Sequence, residues 1–357
     1  MSLDLGNIRM YMGPRELGAP DDLETVIINF INGAKKELCI AVQELESKPI
    51  AESIIAARVR GVRVRLIIEG DYLTEVKGLA DPWVAGGENE ANRIIYGAIL
   101  RAKVQVITDL NPAFFHQKYI VRDPDEDSTA GLLTGSTNFT PTCCHNNLNH
   151  VVVFGGKRMA VLYLREFEET WSGTFGALRE RKDEPPRIYE VSGVKVKTVF
   201  APDHSPEMEI MKQMLKAAKR VDFAMFTFAQ SSGIDDAMIC LNRAGIPVRG
   251  VLDRMQGNQS WAASRPVMNA GASLYWPKKD SGVRKVHHKL SVIDETIVIA
   301  GSFNFTDPAN TLNDENVIII GDMEETDSAV REKQKKIGAY ALAEIDRMIG
   351  TLCEKMH

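Results

Sequence analysis

Apolar and polar positions alternate along IRMYMGP (8–14), and the same alternation returns in VKTVFAP (196–202). A period of two predicts a strand with one buried face, here ending at a proline. The short apolar run in AKKELCIAV (34–42) likewise returns in AKRVDFAMF (218–226), predicting a second strand in each place. IIAARVRGVRVRLIIEGD (54–71) returns as MICLNRAGIPVRGVLDRM (238–255). In each copy a helical segment closes at a glycine, Gly61 or Gly245, and a strand follows. Glycine suits that position because it adopts the left-handed conformation without a Cβ penalty. The chain therefore reads as an internal duplication. Each half is expected to run strand, helix, strand, helix, strand, a further helix, a strand rich in polar residues and a final strand. That order predicts an α/β fold with a layered sheet in each half.

The halves are assigned to residues 1–175 and 194–357, joined by a linker at 176–193, where FGALRERKDEPPRIYEVSG (175–193) holds a charge run and a Pro-Pro pair. MAVLYLREFEETW (159–171) and SAVREKQKKIGAYALAEIDRMI (328–349) are predicted amphipathic helices, the second closing a sheet. Residues 72–100 include DPWVAGGENEANR, with Trp83, which has no close partner in the second half. A lid and an ordinary surface loop are both open readings of it.

Composition narrows the class. Hydrophobic residues make up 44% and charged residues 25%, as in soluble globular proteins. No apolar span reaches the length of a membrane helix, so stable membrane insertion is not expected. The start, MSLDLGNIRMYMG, lacks a basic region followed by an apolar core and does not read as a secretory signal. Five cysteines without framework spacing fit a reducing, cytoplasmic location. A net charge of −5 argues against a broad nonspecific nucleic-acid footprint, though not against a local basic groove.

The chemistry lies in two matched stretches, FHQKYIVRDPDEDSTAGLLTGSTNFT (115–140) and VHHKLSVIDETIVIAGSFNFT (286–306). His116, Lys118 and Asp123 stand two and five positions apart, and His287, Lys289 and Asp294 repeat that spacing, whereas His288 does not fit it. From Asp123 to Gly135 is twelve positions and from Asp294 to Gly301 seven, so PDEDST reads as a surface insertion. Residues two apart in a strand face the same way, so each histidine shares a face with its lysine. Two lysines to neutralise oxygens and two imidazoles to move electrons and protons suit a phosphodiester. Asn138 and Asn304, with Ser136 and Ser302, are candidate donors to phosphate oxygens. Thr140 and Thr306 are candidate N-caps of helices whose first turns would favour an anion.

Other polar clusters read differently. Cys143, Cys144, His145 and His150 lack the spacing of paired zinc ligands and are read as loop or core, so no metal site is assigned. His288 is read as packing or hydrogen-bonding within the sheet. Arg58, Arg60, Arg63 and Arg65 are read as a solvated face, and Phe114 and Phe115 as core.

The paired His-x-Lys-x4-Asp motifs, the two Gly-Ser-x-Asn turns and the duplicated halves resemble the phospholipase D superfamily over most of residues 8–325. The resemblance implies two similar phospholipase D-like α/β halves packed with the active site at their interface. It implies a phosphodiesterase that works without a cofactor or metal through a covalent phosphohistidine. It implies a mainly structural role for Asp123 and Asp294, and a monomer suffices for a complete site because one chain holds both motifs. One histidine attacks as a neutral nucleophile. The other protonates the leaving alkoxide and then deprotonates water. Aligning HVVV (150–153) with NVII (316–319) sets Asn149 opposite Glu315. The resemblance implies that this position orients the histidine of its own motif, so Glu315 is expected beside His287 and Asn149 beside His116. On that pairing the carboxylate makes His287 the starting acid and leaves His116 the nucleophile. The Phe-Thr after each asparagine resembles the nuclease branch, so DNA or RNA is the expected substrate. The alternatives are phospholipid hydrolysis or head-group exchange and, from another class, a catalytically silent nucleic-acid-binding module.

Overall fold

A computed structural model describes residues 2–74, 78–79, 81–178 and 187–357. The first half contains β1 (Leu3–Asp4), β2 (Ile8–Gly13), α1 (Leu23–Asn32), β3 (Glu37–Val42), α2 (Lys48–Val59), β4 (Arg63–Ile68), α3 (Glu90–Arg101), β5 (Gln105–Thr108), β6 (Lys118–Arg122), β7 (Gly131–Gly135), α4 (Pro141–His145), β8 (Asn147–Gly155) and α5 (Lys157–Trp171). The second contains β9 (Ile188–Val191), β10 (Val194–Ala201), α6 (Pro206–Met214), β11 (Val221–Met225), α7 (Ile234–Arg243), β12 (Val248–Leu252), α8 (Arg254–Gly257), α9 (Ser264–Asn269), β13 (Ser273–Pro277), β14 (Lys285–Val286), β15 (Lys289–Ile293), β16 (Ile297–Gly301), α10 (Asp307–Thr311), β17 (Glu315–Ile320), α11 (Ser328–Arg347) and β18 (Cys353–Lys355).

Two mixed sheets of nine strands result. The first runs β1-β2-β8-β7-β6-β3-β4-β5, with β14 added on β8; the second runs β18-β13-β12-β11-β15-β16-β17-β10-β9. The His-Lys strands are central in each: β6 lies antiparallel between β3 and β7, and β15 between β11 and β16. Lys118 pairs with Val42 at the end of β3, and Lys289 with Met225 at the end of β11. Both lysines therefore enter at the carboxyl ends of parallel strands, where α/β sheets commonly place ligands.

One central core joins the molecule. It contains Met10, Tyr119 and Leu132 from the first sheet, Phe200, Leu290 and Ile318 from the second, and residues of α5 and α11. Separate outer cores lie under α1 and α2 and under α6 and α7. Residues 328–347 form the expected helix, α11, and beyond it β18 pairs with β13 as an added edge strand. The expected linker 176–193 is not an uninterrupted connector: Ile188–Val191 forms an edge strand on β10. Its charge run and Pro-Pro pair (179–186) lie outside the described residues.

The halves also trade backbone. β14 of the second half pairs in parallel with β8 of the first, Lys285 with Asn147 and Val286 with Leu148. In the reverse sense Phe115 bridges Asp314. The His116 N–H donates to the Asp314 carbonyl at 3.0 Å, and the His287 N–H to the Leu148 carbonyl at 2.9 Å. Each motif strand is thus anchored at its start to the other half, His116 to the residue leading into β17 and His287 to β8.

Candidate active site

The strand ends first need tight turns. Gly135 and Gly301 take φ of 157° and 147°. A Cβ there would come within 2.3 Å of the His150 carbonyl and 2.2 Å of the Asn316 carbonyl. This explains the glycine of each Gly-Ser-x-Asn turn: no side chain fits where β7 meets β8 or β16 meets β17. Asp123 accepts the N–H groups of Lys35, Lys36 and Glu37 at 2.7–2.8 Å. Asp294 accepts those of Ala218, Lys219 and Arg220 at 2.8–2.9 Å. Both aspartates tie the far end of their strand to the start of its neighbour, away from the histidines.

The crossed backbone anchors decide the histidine partners. His116 Nδ1 lies 2.7 Å from Glu315 Oε2, and His287 Nδ1 lies 2.9 Å from Asn149 Oδ1. The expected own-motif pairing is therefore reversed: Glu315 serves His116 and Asn149 serves His287. The physical reason is that residue 116 runs beside 314–315, and residue 287 beside 148–149. With Nδ1 tied in both rings, Nε2 is the nitrogen left to meet a substrate.

Ser136 and Ser302 are not phosphate ligands here. Both are fully buried. The Ser136 hydroxyl donates to Asn149 Oδ1 at 2.8 Å, and the Ser302 hydroxyl to Glu315 Oε2 at 2.5 Å. They hold the groups that hold the histidines. Asn138 donates to Glu44 Oε1 at 2.5 Å, while Asn304 Oδ1 accepts the Thr227 N–H at 3.4 Å. Thr140 and Thr306 do cap helices, at 3.1 Å to Cys143 N–H and 3.3 Å to Ala309 N–H. Those helices, α4 and α10, run only five residues each, so their aligned peptides contribute a weak field.

Lys118 Nζ donates to the His116 carbonyl at 2.7 Å and to Gln43 Oε1 at 3.1 Å. Lys289 Nζ donates to the His287 carbonyl at 3.0 Å and lies 5.2 Å from the Phe226 ring centroid. Both ammoniums are buried side by side. Burial, opposed by Glu315 and Glu44, pushes Lys118 down to about 8. Burial and then Lys118 hold Lys289 well below the usual lysine range. Burial followed by the two lysines pushes both catalytic-site imidazoles well below their ordinary value. Burial pushes Glu315 up to about 8, against the pull of Lys118. Buried positive charge at Lys118 and Lys289 is costly without an anion beside it, so the site suits an anionic ligand.

Gln43, Glu44 and Phe226 were not singled out from the sequence. Gln43 is the first residue after β3 and Phe226 the first after β11, and aligning the copies on the strand ends Val42 and Met225 exposes that asymmetry. The Phe226 ring lies 5.0 Å from that of His287. His288 points away from the site. It is fully buried and stacks on His150 with centroids 5.5 Å apart and planes 3° apart. Phe115 is core against Phe175 at 5.8 Å, whereas Phe114 is nearly half exposed, contrary to its reading as core. Arg58, Arg60 and Arg63 are exposed, but Arg65 is buried and bonded to Glu168 and Glu37, so it is no part of a solvated face. Of the segment 72–100, residues 75–77 and 80 lie outside the described residues, Trp83 is exposed, and 90–101 form α3. Among the described residues Glu166, Glu169 and Asp203 bring carboxylate oxygens within 4.8 Å of one another, and no histidine joins them.

Comparison with known proteins agrees with this geometry. Residues 27–171 and 210–336 both match the family model described as "Cardiolipin synthase, PLD-like domain". A phospholipase D from Rickettsia conorii is 35% identical over 150 residues, 40% of this chain and 68% of that protein. A mitochondrial cardiolipin hydrolase from Xenopus tropicalis is 31% identical over 109 residues, 30% of this chain and 50% of that protein. A phosphatidylserine synthase from Haemophilus influenzae shares the fold with a TM-score of 0.67 at 12% identity, over 100% of this chain and 89% of that one. With two matched domains and two complete motifs meeting at one interface, the chain belongs to the phospholipase D superfamily and is a phosphodiesterase of that group.

Proposed function

We propose that the protein cleaves a phospholipid-type phosphodiester through a covalent phosphohistidine on His116. The observation that carries this is the crossed pairing, which sets both imidazoles and both lysines at one interface. Glu315 accepts Nδ1–H of His116 and leaves the Nε2 lone pair to attack. Glu315, held at about 8 in the resting site, is drawn into its ionised form by the positive charge the ring gains as the P–N bond forms, and the carboxylate then stabilises that charge. The bond from phosphorus to the leaving alcohol breaks, and His287 Nε2 supplies that oxygen with a proton. His287 has only the neutral Asn149 amide beside Nδ1, so its proton is not held by an ion pair. The bound anion supplies the field that protonates it. In the second step His287 takes a proton from water, the water oxygen attacks phosphorus, and the P–N bond breaks. Lys118 and Lys289 offset charge on the phosphoryl oxygens, with the Asn304 amide as a further donor. The attacker is the one expected from the sequence, but the reason differs, because the carboxylate stands beside the nucleophile.

Three features support a phospholipid ahead of nucleic acid. The relatives above are named for lipid substrates. Glu44 and Glu46 stand on the first-half wall, where neighbouring phosphates of a nucleic-acid strand would meet carboxylates. The basic run Arg58, Arg60 and Arg63 leads into β4, whose first residue is Arg63, at the opposite end of that strand from the histidines. Among the described residues no helix is long and apolar enough to cross a membrane. All five cysteines are free thiols, which supports the expected reducing compartment.

The test is a substrate panel in EDTA: bis-p-nitrophenyl phosphate, phosphatidylglycerol, phosphatidylcholine, single-stranded DNA and RNA. We expect turnover of the small diester and a phospholipid, and labelled phosphate on His116 after an alkaline denaturing quench. Label on His287, or a strict need for a divalent ion, overturns the mechanism. Cleavage of nucleic acid without lipid overturns the substrate ranking.

A further inference from the structure

We infer that a cavity of about 610 Å³ beside Thr227 and Trp261 is the subsite for the leaving and accepting alcohol, and that it takes an uncharged polyol in preference to a cationic amino alcohol. The inference rests on the phosphohistidine route proposed above and adds a direction and a chemistry to it.

The direction follows from position. Thr227 directly follows Phe226, whose ring lies 5.0 Å from His287. The Thr227 N–H donates to Asn304, and Thr306, which caps α10 after the Gly-Ser-x-Asn turn, also lines the cavity. The cavity therefore adjoins the His287 side of the site. In an in-line displacement the nucleophile and the leaving oxygen lie on opposite sides of phosphorus. With His116 attacking, the alcohol departs towards His287 and into this space.

The chemistry follows from the lining. Thr227, Gln230, Gln256, Ser260 and Thr306 offer hydroxyl and amide groups, Trp261 offers a flat apolar face, and no lining residue among those described is charged. The Gln230 amide is fixed by the carbonyls of Ser260 and Ala262 at 3.3 and 3.0 Å, so this wall is built rather than loose. Neutral donors and acceptors suit hydroxyl groups. An ammonium placed here would lose hydration without gaining a counter-charge. The matching place in the other half is the reverse. After Gln43 come Glu44 and Glu46, tied to Asn138 and Asn92 at 2.5 and 2.8 Å, so carboxylates stand on the His116 side. The volume lies within the range of small-ligand pockets, about 300–1,000 Å³, and admits far more than water. An alcohol there is placed to take the water's role in the second step, giving transfer in competition with hydrolysis.

The experiment measures how the phosphoenzyme divides between acceptors. Full-length protein is given bis-p-nitrophenyl phosphate with glycerol, choline or ethanolamine at equal concentration. Mass spectrometry reads the ratio of transfer product to p-nitrophenyl phosphate, the hydrolysis product. Glycerol is expected to exceed either amine by roughly tenfold. Gln256→Glu, which adds a carboxylate to the wall, is expected to invert that order, and Trp261→Ala to lower the glycerol ratio. A ratio is independent of how much protein is folded, so an unstable variant still gives an answer. Choline at or above glycerol in the parent protein, or a ratio unmoved by both substitutions, overturns the subsite while leaving the phosphohistidine route standing. No turnover of the small diester overturns that route, and the subsite with it.

Discussion

Glu315 is fully buried between the Ser302 hydroxyl and the His116 ring, and both contacts fall on one oxygen, Oε2. An amide at this position could turn its NH2 group to Nδ1 and select the tautomer whose Nε2 carries a proton and cannot attack. Glu315→Gln is therefore expected to slow phosphoenzyme formation by on the order of 10²-fold or more, with a much smaller change in KM. Rapid-mixing measurement of the first p-nitrophenol released checks it, and a rate within threefold of the parent would remove Glu315 from the mechanism. Lys118 gives a second handle. Its ammonium is pushed down to about 8 by burial, so it is charged below that pH and neutral above it. An anionic diester loses that partner as pH rises through about 8, well short of ordinary lysine titration near 10.4. KM should climb over that interval. A flat KM from pH 7 to 9.5 would show that Lys118 does not hold the phosphate.

At the scale of elements, the strands and their repeat were legible because periodicity is local. Apolar alternation, the glycine before each β4-like strand and the spacing of His116 and Lys118 are all written within a few residues. The crossing of the halves was not legible. Aligning a repeat compares each copy with itself, and nothing within β14 or β8 says that Lys285 will pair with Asn147 across the interface. For the same reason Ser136 and Ser302 resembled phosphate ligands: the turn signature was visible, but not the partners behind it. The same pseudo-symmetric exchange places His288 against His150, where the other crossing places Gln117 against Asn316 at 2.7 Å. His288→Ala should cost roughly 2–4 kcal/mol of stability, as expected for emptying a buried aromatic position, while sparing most of kcat. His287→Ala should do the opposite, removing most turnover with little loss of Tm. Thermal melts and kcat for the two variants separate the roles, and equal loss of turnover in both would place His288 in the chemistry.

The whole molecule depends on that interface, because the central core draws on both sheets and on α5 and α11 together. Four imidazoles are buried along it. Burial pushes His116, His150, His287 and His288 below the ordinary histidine value, so each is neutral when folded at neutral pH. Unfolding exposes them, and below about pH 6.5 the unfolded chain binds protons that the native chain does not. Their contribution is present above that pH and is lost as pH falls through it. Glu315 acts in the opposite sense. Its raised value, about 8, means that the folded chain keeps a proton that the unfolded chain releases above its ordinary 4.5. That contribution is present below 4.5 and fades as pH rises to about 8, and Glu69, also raised to about 8 mainly by burial and then by Asp109, reinforces it. Stability should therefore peak near or slightly below neutrality and fall on both sides. The acid limb has a specific test in the molecule's own symmetry. Replacing His150 with Asn and His288 with Gln installs the pair that Asn316 and Gln117 already form across the other crossing, and removes two titrating rings without emptying the interface. Each ring that must charge on unfolding contributes up to about 1.4 kcal/mol per pH unit. Urea unfolding from pH 7 down to pH 5 should then show a shallower loss of stability in His150→Asn/His288→Gln than in the parent protein. An unchanged acid slope would mean that these two rings are already protonated in the folded state, or stay neutral in both states, and would assign acid sensitivity to other groups.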